Sequence, residues 1–189
     1  MKKFFLYILL ITSSPLFFPQ NIKWENLSGG IVINHLISGG DLKKYWNNTP
    51  EAGLLINYLI GGDISLESSI AGAYLKAKPA NEISFNNPLP YILLINLPAG
   101  VKYTFLRGDF ISFNVSAGIT NSTFIFTGKP AETLKENNIE SEFGLFASAG
   151  FGGRVYKNFI IELVPGIQRI FSSPNLNLYR IGLKILFDL

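Results

Sequence analysis

Charged side chains within the predicted strands are the residues of this sequence best placed to do chemistry. They lie on the small or polar side of segments whose other side is apolar: Glu67, Lys102, Arg154, Glu162, Arg180 and Lys184. Counted along the strand from the nearest predicted tight turn or chain end, all except Arg180 lie within about three to six residues, roughly 10–20 Å. We therefore expect one layer of charges, with Arg180 beyond it.

Buried charges persist only when they are paired. We predict that Glu67 pairs with Lys102, and that Glu162 pairs with Arg154 or Lys184. Such a layer would fix strand register and block any passage between the strands. A gated polar path through the layer is the functional alternative.

His35 is the single histidine, and the chain has no cysteine. A histidine beside a hydroxyl and a carboxylate can act as a general base. Ser38, Asp41 and Glu51 are the nearby candidates, but their spacing puts none of them reliably within hydrogen-bond reach. A polar side chain at an interface is the simpler interpretation, so we expect no catalytic site. Without cysteine there is no disulfide or thiolate metal site, and we expect no cofactor.

A basic and aromatic cluster occupies the first long predicted loop, at Lys43, Lys44, Tyr45 and Trp46. Ammonium groups and aromatic rings together can bind phosphates or a partner surface. An ordinary solvated loop is the alternative.

The composition excludes several classes of protein. The chain of 189 residues is 48% hydrophobic and only 15% charged, where about 25% charged is usual. No internal apolar run approaches the roughly 20 residues of a membrane helix. The net charge is +3, and the basic residues are scattered along the chain without forming a cluster typical of a nucleic-acid surface. We therefore expect no nucleic-acid partner. Residues 1–20 have the basic start and apolar run of a secretory signal, which leaves residues 21–189 as one domain.

Apolar residues recur at every second position, which predicts β-strands. Long loops are predicted at Gly39–Thr49, Lys78–Pro90, Asn121–Ser141 and Ser172–Asn175, and tight turns near residues 62, 108 and 157. The eight predicted strands are Leu27–Ser38, Glu51–Ile60, Asp63–Lys76, Tyr91–Leu106, Asp109–Thr120, Glu142–Tyr156, Asn158–Phe171 and Leu176–Leu189.

The non-apolar face of these strands is rich in Gly, Ala and Ser, which suits a narrow barrel interior. The strands also exceed the roughly 9–11 residues that a tilted membrane strand needs. We therefore predict that the apolar face meets lipid. Two groups of outward aromatics, Tyr58, Tyr103, Phe105 and Phe187 near the tight turns and Tyr74, Tyr91 and Tyr179 near the long loops, are typical of interfacial belts. Pro98 and Pro165 fall within strands, and we expect a bulge at each.

This pattern, with its signal, eight strands, long loops and Phe187 near the end of the last strand, resembles the small eight-stranded outer-membrane β-barrels of the OmpA/OmpX type. The resemblance implies an all-β, up-and-down transmembrane barrel in a bacterial outer membrane. Its implied partners are outer-membrane lipid, lipopolysaccharide and the barrel-assembly machinery, and we expect a monomer. Many members end in an aromatic residue, whereas this chain ends in Leu189.

A structural or interaction role through the long loops, without an open pore, is the function we expect. One alternative is a narrow channel or carrier for small apolar molecules, suggested by inward Leu55, Leu75 and Leu94. Another is a lipid A-modifying enzyme using His35, since some small barrels are such enzymes. A soluble lipocalin-like barrel is the alternative fold, with the apolar faces turned inward.

Overall fold

The computed structural model describes residues 23–40, 42–78, 91–107, 111–127, 138–156, 158–172 and 176–188. The predicted signal, Asp41, Leu189, most of the predicted second and fourth long loops, about half of the third, and parts of the predicted turns near residues 108 and 157 lie outside these residues. The strands are β1 (Leu27–Gly39), β2 (Thr49–Gly61), β3 (Ile64–Leu75), β4 (Tyr91–Arg107), β5 (Ser112–Thr127), β6 (Ile139–Tyr156), β7 (Phe159–Ile170) and β8 (Leu176–Asp188). A 3₁₀ turn spans Trp24–Asn26, and a short helix, α1, spans Leu42–Tyr45. Within the described ranges, no helix has the length and apolar character needed to cross a membrane.

The eight strands form one closed antiparallel barrel in sequence order. Each strand pairs with the next, and β1 pairs with β8 to close the wall, with Gly29 opposite Phe187 and Ile31 opposite Ile185. Closure leaves no strand edge unpaired, which is what a sheet requires in lipid, where no water can satisfy free backbone groups. The predicted fold class is confirmed.

The barrel exposes its apolar side chains and encloses its small and polar ones. Val115 and Leu183 are each 45% exposed, whereas Ser116 is 4% and Lys184 8% exposed. A soluble barrel would show the opposite arrangement, because exposing so many large apolar side chains to water costs free energy. The exterior is therefore the lipid-facing surface, and the lipocalin-like alternative is wrong.

Glycines on the inner face allow neighbouring strands to approach closely. Gly100 and Gly118 lie opposite each other on β4 and β5. A Cβ on Gly118 would lie 2.2 Å from the Ala99 carbonyl oxygen, and one on Gly100 would lie 2.3 Å from that of Ala117. At Gly62, a φ of 55° forms the turn between β2 and β3, which glycine adopts without strain.

Aromatic side chains cluster at both ends of the outer surface. Near the long loops, Tyr74 and Tyr91 stack with ring centroids 5.5 Å apart. Near the tight turns, Phe113 contacts Phe151 at 4.9 Å, and Phe159 contacts Phe187 at 5.1 Å. The two groups match the aromatic girdles of membrane barrels.

Two details differ from the sequence prediction. The third long loop is shorter than predicted, because β5 continues to Thr127 and β6 begins at Ile139. The prediction of a bulge at Pro98 and at Pro165 is wrong. Pairing lapses beside each proline, between Ser68 and Ala71 on β3 and between Ser148 and Phe151 on β6, but the register is unchanged across both gaps. The register shifts of the described strands lie near the tight turns instead, as at Thr104/Leu106.

Candidate functional site in the barrel interior and at its outer end

Two buried ion pairs cross the lumen in its lower half, toward the tight turns. Lys102 Nζ lies 2.5 Å from Glu162 Oε1, and Lys184 Nζ lies 2.5 Å from Glu67 Oε1. Each pair joins strands that are not neighbours, β4 with β7 and β3 with β8. All of these residues lie inside, but the predicted partners are wrong, since Glu67 pairs with Lys184 and Glu162 with Lys102.

The charged layer is extended by one amide and closes the lumen at this level. Asn114 Nδ2 donates to Glu162 Oε1 at 3.1 Å. Below the layer, toward the tight turns, a 470 Å³ cavity opens and is lined in part by Lys102, Glu162 and Arg154. Arg154 was predicted to belong to the charged layer as a possible partner of Glu162, and this is wrong. It lies at this rim instead, half-exposed, with its Nη2 2.9 Å from Asp188 Oδ2.

A polar network centred on Glu51 spans the middle of the barrel. Arg180 Nε donates to Glu51 Oε2 at 2.7 Å, and Asn34 Nδ2 and Asn96 Nδ2 each donate to the same carboxylate at 2.6 Å. Arg180 thus lies above the charged layer and takes part in an ion pair. Buried charges with this many hydrogen bonds are well compensated.

The network continues to the opposite wall. Ser122 Oγ donates to Asn96 Oδ1 at 2.8 Å, and Gln168 Nε2 donates to Ser122 Oγ at 2.6 Å. Sequence reasoning missed these residues and treated Glu51 as a rim residue. The signal was available in β2, where Thr49, Glu51 and Leu55 share the parity of the inner face.

An apolar plug fills the lumen toward the long loops. Its buried members are Leu36, Leu42, Trp46, Ala73, Leu75, Ala77, Ile92, Leu94, Phe124, Ile170 and Leu178. Leu75 and Leu94 were predicted to face inward and are fully buried here, and Leu55 is buried lower down. The lumen is thus filled at three levels, by apolar side chains, the Glu51 network and the ion pairs.

The segment that carries Lys43, Lys44, Tyr45 and Trp46 folds as α1 and covers the plug. Trp46 N donates to Leu42 O, Asn47 N to Lys76 O and Lys78 N to Tyr45 O, each at 2.9 Å. We call residues 42–47 and 76–78 the basic platform. Its Lys43, Lys44 and Tyr45 are exposed, whereas Trp46 is only 9% exposed and belongs to the plug. Trp46 therefore holds the platform against the plug, and its ring is too buried to contact a partner.

Among the described candidates, His35 is not brought together with Ser38 or Glu51, and Asp41 lies outside the described residues. The imidazole of His35 lies on the exposed outer face, opposite Pro50 and Ile181 on the neighbouring strands. Ser38 and Glu51 are each 1% exposed on the inner face. The barrel wall thus separates the histidine from both groups. Across the part of the chain that is described, no group of three or more His, Asp or Glu side chains could hold a metal ion.

These features define a transmembrane β-barrel with a lipid-facing exterior and a filled interior. No family model and no curated protein matches the sequence. The fold is similar to that of Neisserial surface protein A (TM-score 0.68, 11% identity, 87% of this chain and 97% of that one). It is also similar to the outer membrane protein OprG of Pseudomonas aeruginosa (0.56, 12%, 86% and 95%) and to outer membrane protein AlkL in lipid bilayers (0.55, 11%, 91% and 96%).

Within that class, the chain is a small eight-stranded outer-membrane β-barrel. The closed eight-strand topology and the apolar outer face are those of bacterial outer-membrane proteins, so the protein resides in the outer membrane. The resemblance found in the sequence is thereby confirmed. By the usual orientation of such barrels, the tight turns face the periplasm and the long loops face outward.

Proposed function

We propose that this protein is a non-conducting outer-membrane barrel that acts through its outer end. The observation that carries the proposal is the filled lumen. Any solute on a path along the barrel axis would meet the apolar plug, the Glu51 network and the Lys102–Glu162 and Lys184–Glu67 pairs in turn. Moving an ion past buried apolar side chains is costly, because nothing replaces its hydration shell.

Conductance in planar bilayers tests this proposal. The purified, refolded protein should give no steps above background, and vesicles that contain it should not swell in small sugars. A variant with Leu36→Ala and Leu94→Ala, which thins the plug, serves as comparison and should also remain closed, because the two polar levels are untouched. Regular single-channel openings of the unaltered protein would refute the proposal.

A second candidate function, a carrier for small apolar molecules, has one specific observation in its favour. A 70 Å³ cavity lies between the Glu51 network and the Lys184–Glu67 pair, and Pro98 and the outward-facing Ser68 are among its lining residues. This is where β3 and β4 lose ladder pairs. A wall with missing hydrogen bonds is the easiest place for a barrel to open toward lipid.

Replacing Pro98 tests the carrier role. Pro98→Val restores a backbone donor and favours a continuous β3–β4 ladder, so apolar tracer uptake by intact cells should fall if the opening serves transport. The closed-barrel proposal expects equal uptake in cells with the protein, the variant or neither.

We also propose that the barrel has no lipid A hydrolase or acyltransferase activity. The separation of His35 from Ser38 and Glu51 supports this, because a general base must lie within about 3 Å of the proton that it removes. Mass spectra of lipid A from cells that overproduce the protein should match those from cells without it. A His35-dependent change in lipid A mass would contradict the proposal.

We also propose that the protein is a monomer and that the barrel-assembly machinery recognises its last strand. The closed wall leaves no strand edge for another copy, which supports a monomer. The lipid-facing Phe187 on β8 supports recognition of the last strand by the barrel-assembly machinery. A Phe187→Ala variant should assemble more slowly in cells while folding normally in detergent.

A further inference from the structure

The cavity at the periplasmic end of the barrel is a pocket with a closed floor. Its volume of 470 Å³ falls in the range of about 300–1,000 Å³ that small-molecule sites occupy. The Lys102–Glu162 pair lies at its inner end. Beyond that pair, the Lys184–Glu67 pair and the network of Glu51 fill the lumen. A molecule that enters from the periplasm therefore stops in this cavity.

The charged side chains that line the cavity already have counter-ions among the described residues. Besides the ion pair at the floor, Arg154 Nη2 lies 2.9 Å from Asp188 Oδ2. The exposed Glu25 lies 3.8 Å from Lys23. A charged ligand would have to replace one of these partners, and breaking an existing pair costs free energy. The cavity is therefore poorly suited to an ionic ligand.

The hydrogen-bonding groups that stay free in the cavity are neutral. Ser65 is 4% and Thr104 7% exposed, and within the described ranges neither hydroxyl has a hydrogen-bond partner. Asn57 Oδ1 is buried in the same wall without a donor. These three residues lie on the consecutive strands β2, β3 and β4. A ligand with hydroxyl groups, which both donate and accept, can satisfy all three.

Apolar side chains form another part of the wall. Ile160 on β7 lies opposite Leu186 on β8, and both line the cavity. Leu186 is only 2% exposed. A ligand that fits both walls needs hydroxyl groups on one side and apolar surface on the other. A pyranose ring has this arrangement, with hydroxyl groups around its rim and C–H groups on its faces.

We propose that the periplasmic cavity binds a neutral sugar of one or two rings. Sugar hydroxyls donate to Asn57 Oδ1 and exchange hydrogen bonds with Ser65 and Thr104, while the C–H faces pack against Ile160 and Leu186. Buried groups that gain their missing partners are stabilised. The inference goes beyond the proposed role of the outer end and does not depend on it, since this site lies on the opposite side of the charged layer.

Methyl NMR of the refolded protein in phosphatidylcholine nanodiscs tests the inference, with trehalose, maltose and N,N′-diacetylchitobiose as neutral probes. At least one of them should shift the methyl signals of Ile160 and Leu186, with half-saturation at about 1–10 mM. The signals of Leu94, in the apolar plug, should not move. Glucosamine, which is cationic, and glucuronate, which is anionic, should bind at least about tenfold more weakly, because neither finds an unpaired counter-charge.

Variants separate a specific site from an opening that only holds water. Thr104→Val and Ser65→Ala each remove one hydroxyl and should weaken binding by about threefold to tenfold, as expected for one lost hydrogen bond. Thr104→Ser keeps the hydroxyl and should bind like the unaltered protein. Ser116→Ala is the matched control, because Ser116 is an inward and buried serine outside the cavity, and it should change nothing.

Three results would overturn the inference: no methyl shift with any neutral sugar, equally tight binding of the charged sugars, or unchanged affinity in the correctly folded Thr104→Val and Ser65→Ala variants. Tetrasaccharide forms of the probes identify the source of the ligand. Binding as tight as that of the disaccharide supports the site as a receptor for the end of a glycan chain, and weaker binding supports it as a receptor for a free sugar. Conductance recorded on the same samples reports separately on the closed-barrel proposal, so the two can fail independently.

Discussion

Glu162 and Lys184 lie directly opposite each other on the β7–β8 ladder, yet each forms its ion pair with a residue on a strand that is not its neighbour. Glu162 binds Lys102 on β4, and Lys184 binds Glu67 on β3. Each pair thus connects two non-neighbouring strands of the barrel wall through the lumen. A pair between ladder neighbours would stabilise one hairpin, whereas pairs across the lumen stabilise the closed barrel.

Double-mutant cycles should detect this arrangement. We expect a coupling free energy of about 1–3 kcal/mol between Lys102 and Glu162, measured by urea unfolding in phospholipid vesicles with alanine at either or both positions. Lys102 and Glu67, on neighbouring strands, should couple less. The exposed Lys23–Glu25 pair is the control, and its coupling should stay below about 1 kcal/mol. Stronger coupling of Lys102 with Glu67 would contradict the cross-lumen arrangement.

Removing the carboxylate of Glu51 should be among the most damaging single changes. Glu51→Ala would leave Arg180 without its counter-ion and two buried amides without their acceptor. We expect a loss of about 3–5 kcal/mol in the free energy of unfolding. Glu25→Ala, at an exposed position, should cost almost nothing in the same assay. A Glu51→Ala barrel as stable as the original would mean that the network is not formed.

The close approach of β4 and β5 at their glycines can be tested with two substitutions, one at a crowded glycine on β5 and one at an open glycine on β3. Gly118→Ala would bring its Cβ against the backbone of Ala99 and Gly100 and should destabilise the barrel by about 1–3 kcal/mol. A Cβ on Gly72 would have no atom within 4 Å, so Gly72→Ala should be neutral or slightly stabilising. Equal effects of the two changes in unfolding experiments would contradict the close approach of the strands.

Trp46 should hold the basic platform in place. In the Trp46→Ala variant, the amides of Asn47 and Lys78 should exchange with deuterium faster, because their acceptors on Lys76 and Tyr45 are no longer fixed by the plug. Amides in the periplasmic half of the strands should keep their protection. Tyr45→Ala, which removes an exposed ring, should leave both amides protected. Unchanged exchange in Trp46→Ala would show that the hydrogen bonds alone hold the platform.

The fold was predictable from the sequence because lipid imposes a simple rule. Every second residue of a membrane strand must be apolar, and the narrow interior favours small residues, so strand number and facing could be inferred from residues such as Val115 and Ser116. Strand ends were harder to predict. Asn121, Thr123 and Ser141 have loop-like side chains, but they bond to one another across β5 and β6, with Ser141 Oγ donating to Asn121 Oδ1 at 3.0 Å.

The interior contacts could be predicted only in part. Alternation identifies which charges point inward, and it did so for Lys102 and Glu162. Their partners depend on how the tilted strands stagger around the closed wall, which no single segment encodes. For the same reason Gln168, on β7, could not be assigned to the network of Asn96 on β4, since the two strands are distant in sequence and meet only across the lumen.

Lipid contact of the apolar face is the feature from which the rest of the account follows. Because the sequence lacks cysteine, single cysteines at Val115, Ile119 and Leu183 can carry a fluorophore without background labelling. In vesicles of brominated phospholipid, we predict strong quenching at all three sites, with depth-dependent differences among them. Fluorophores that escape quenching at these positions in the folded barrel would show that the apolar face is turned away from the membrane.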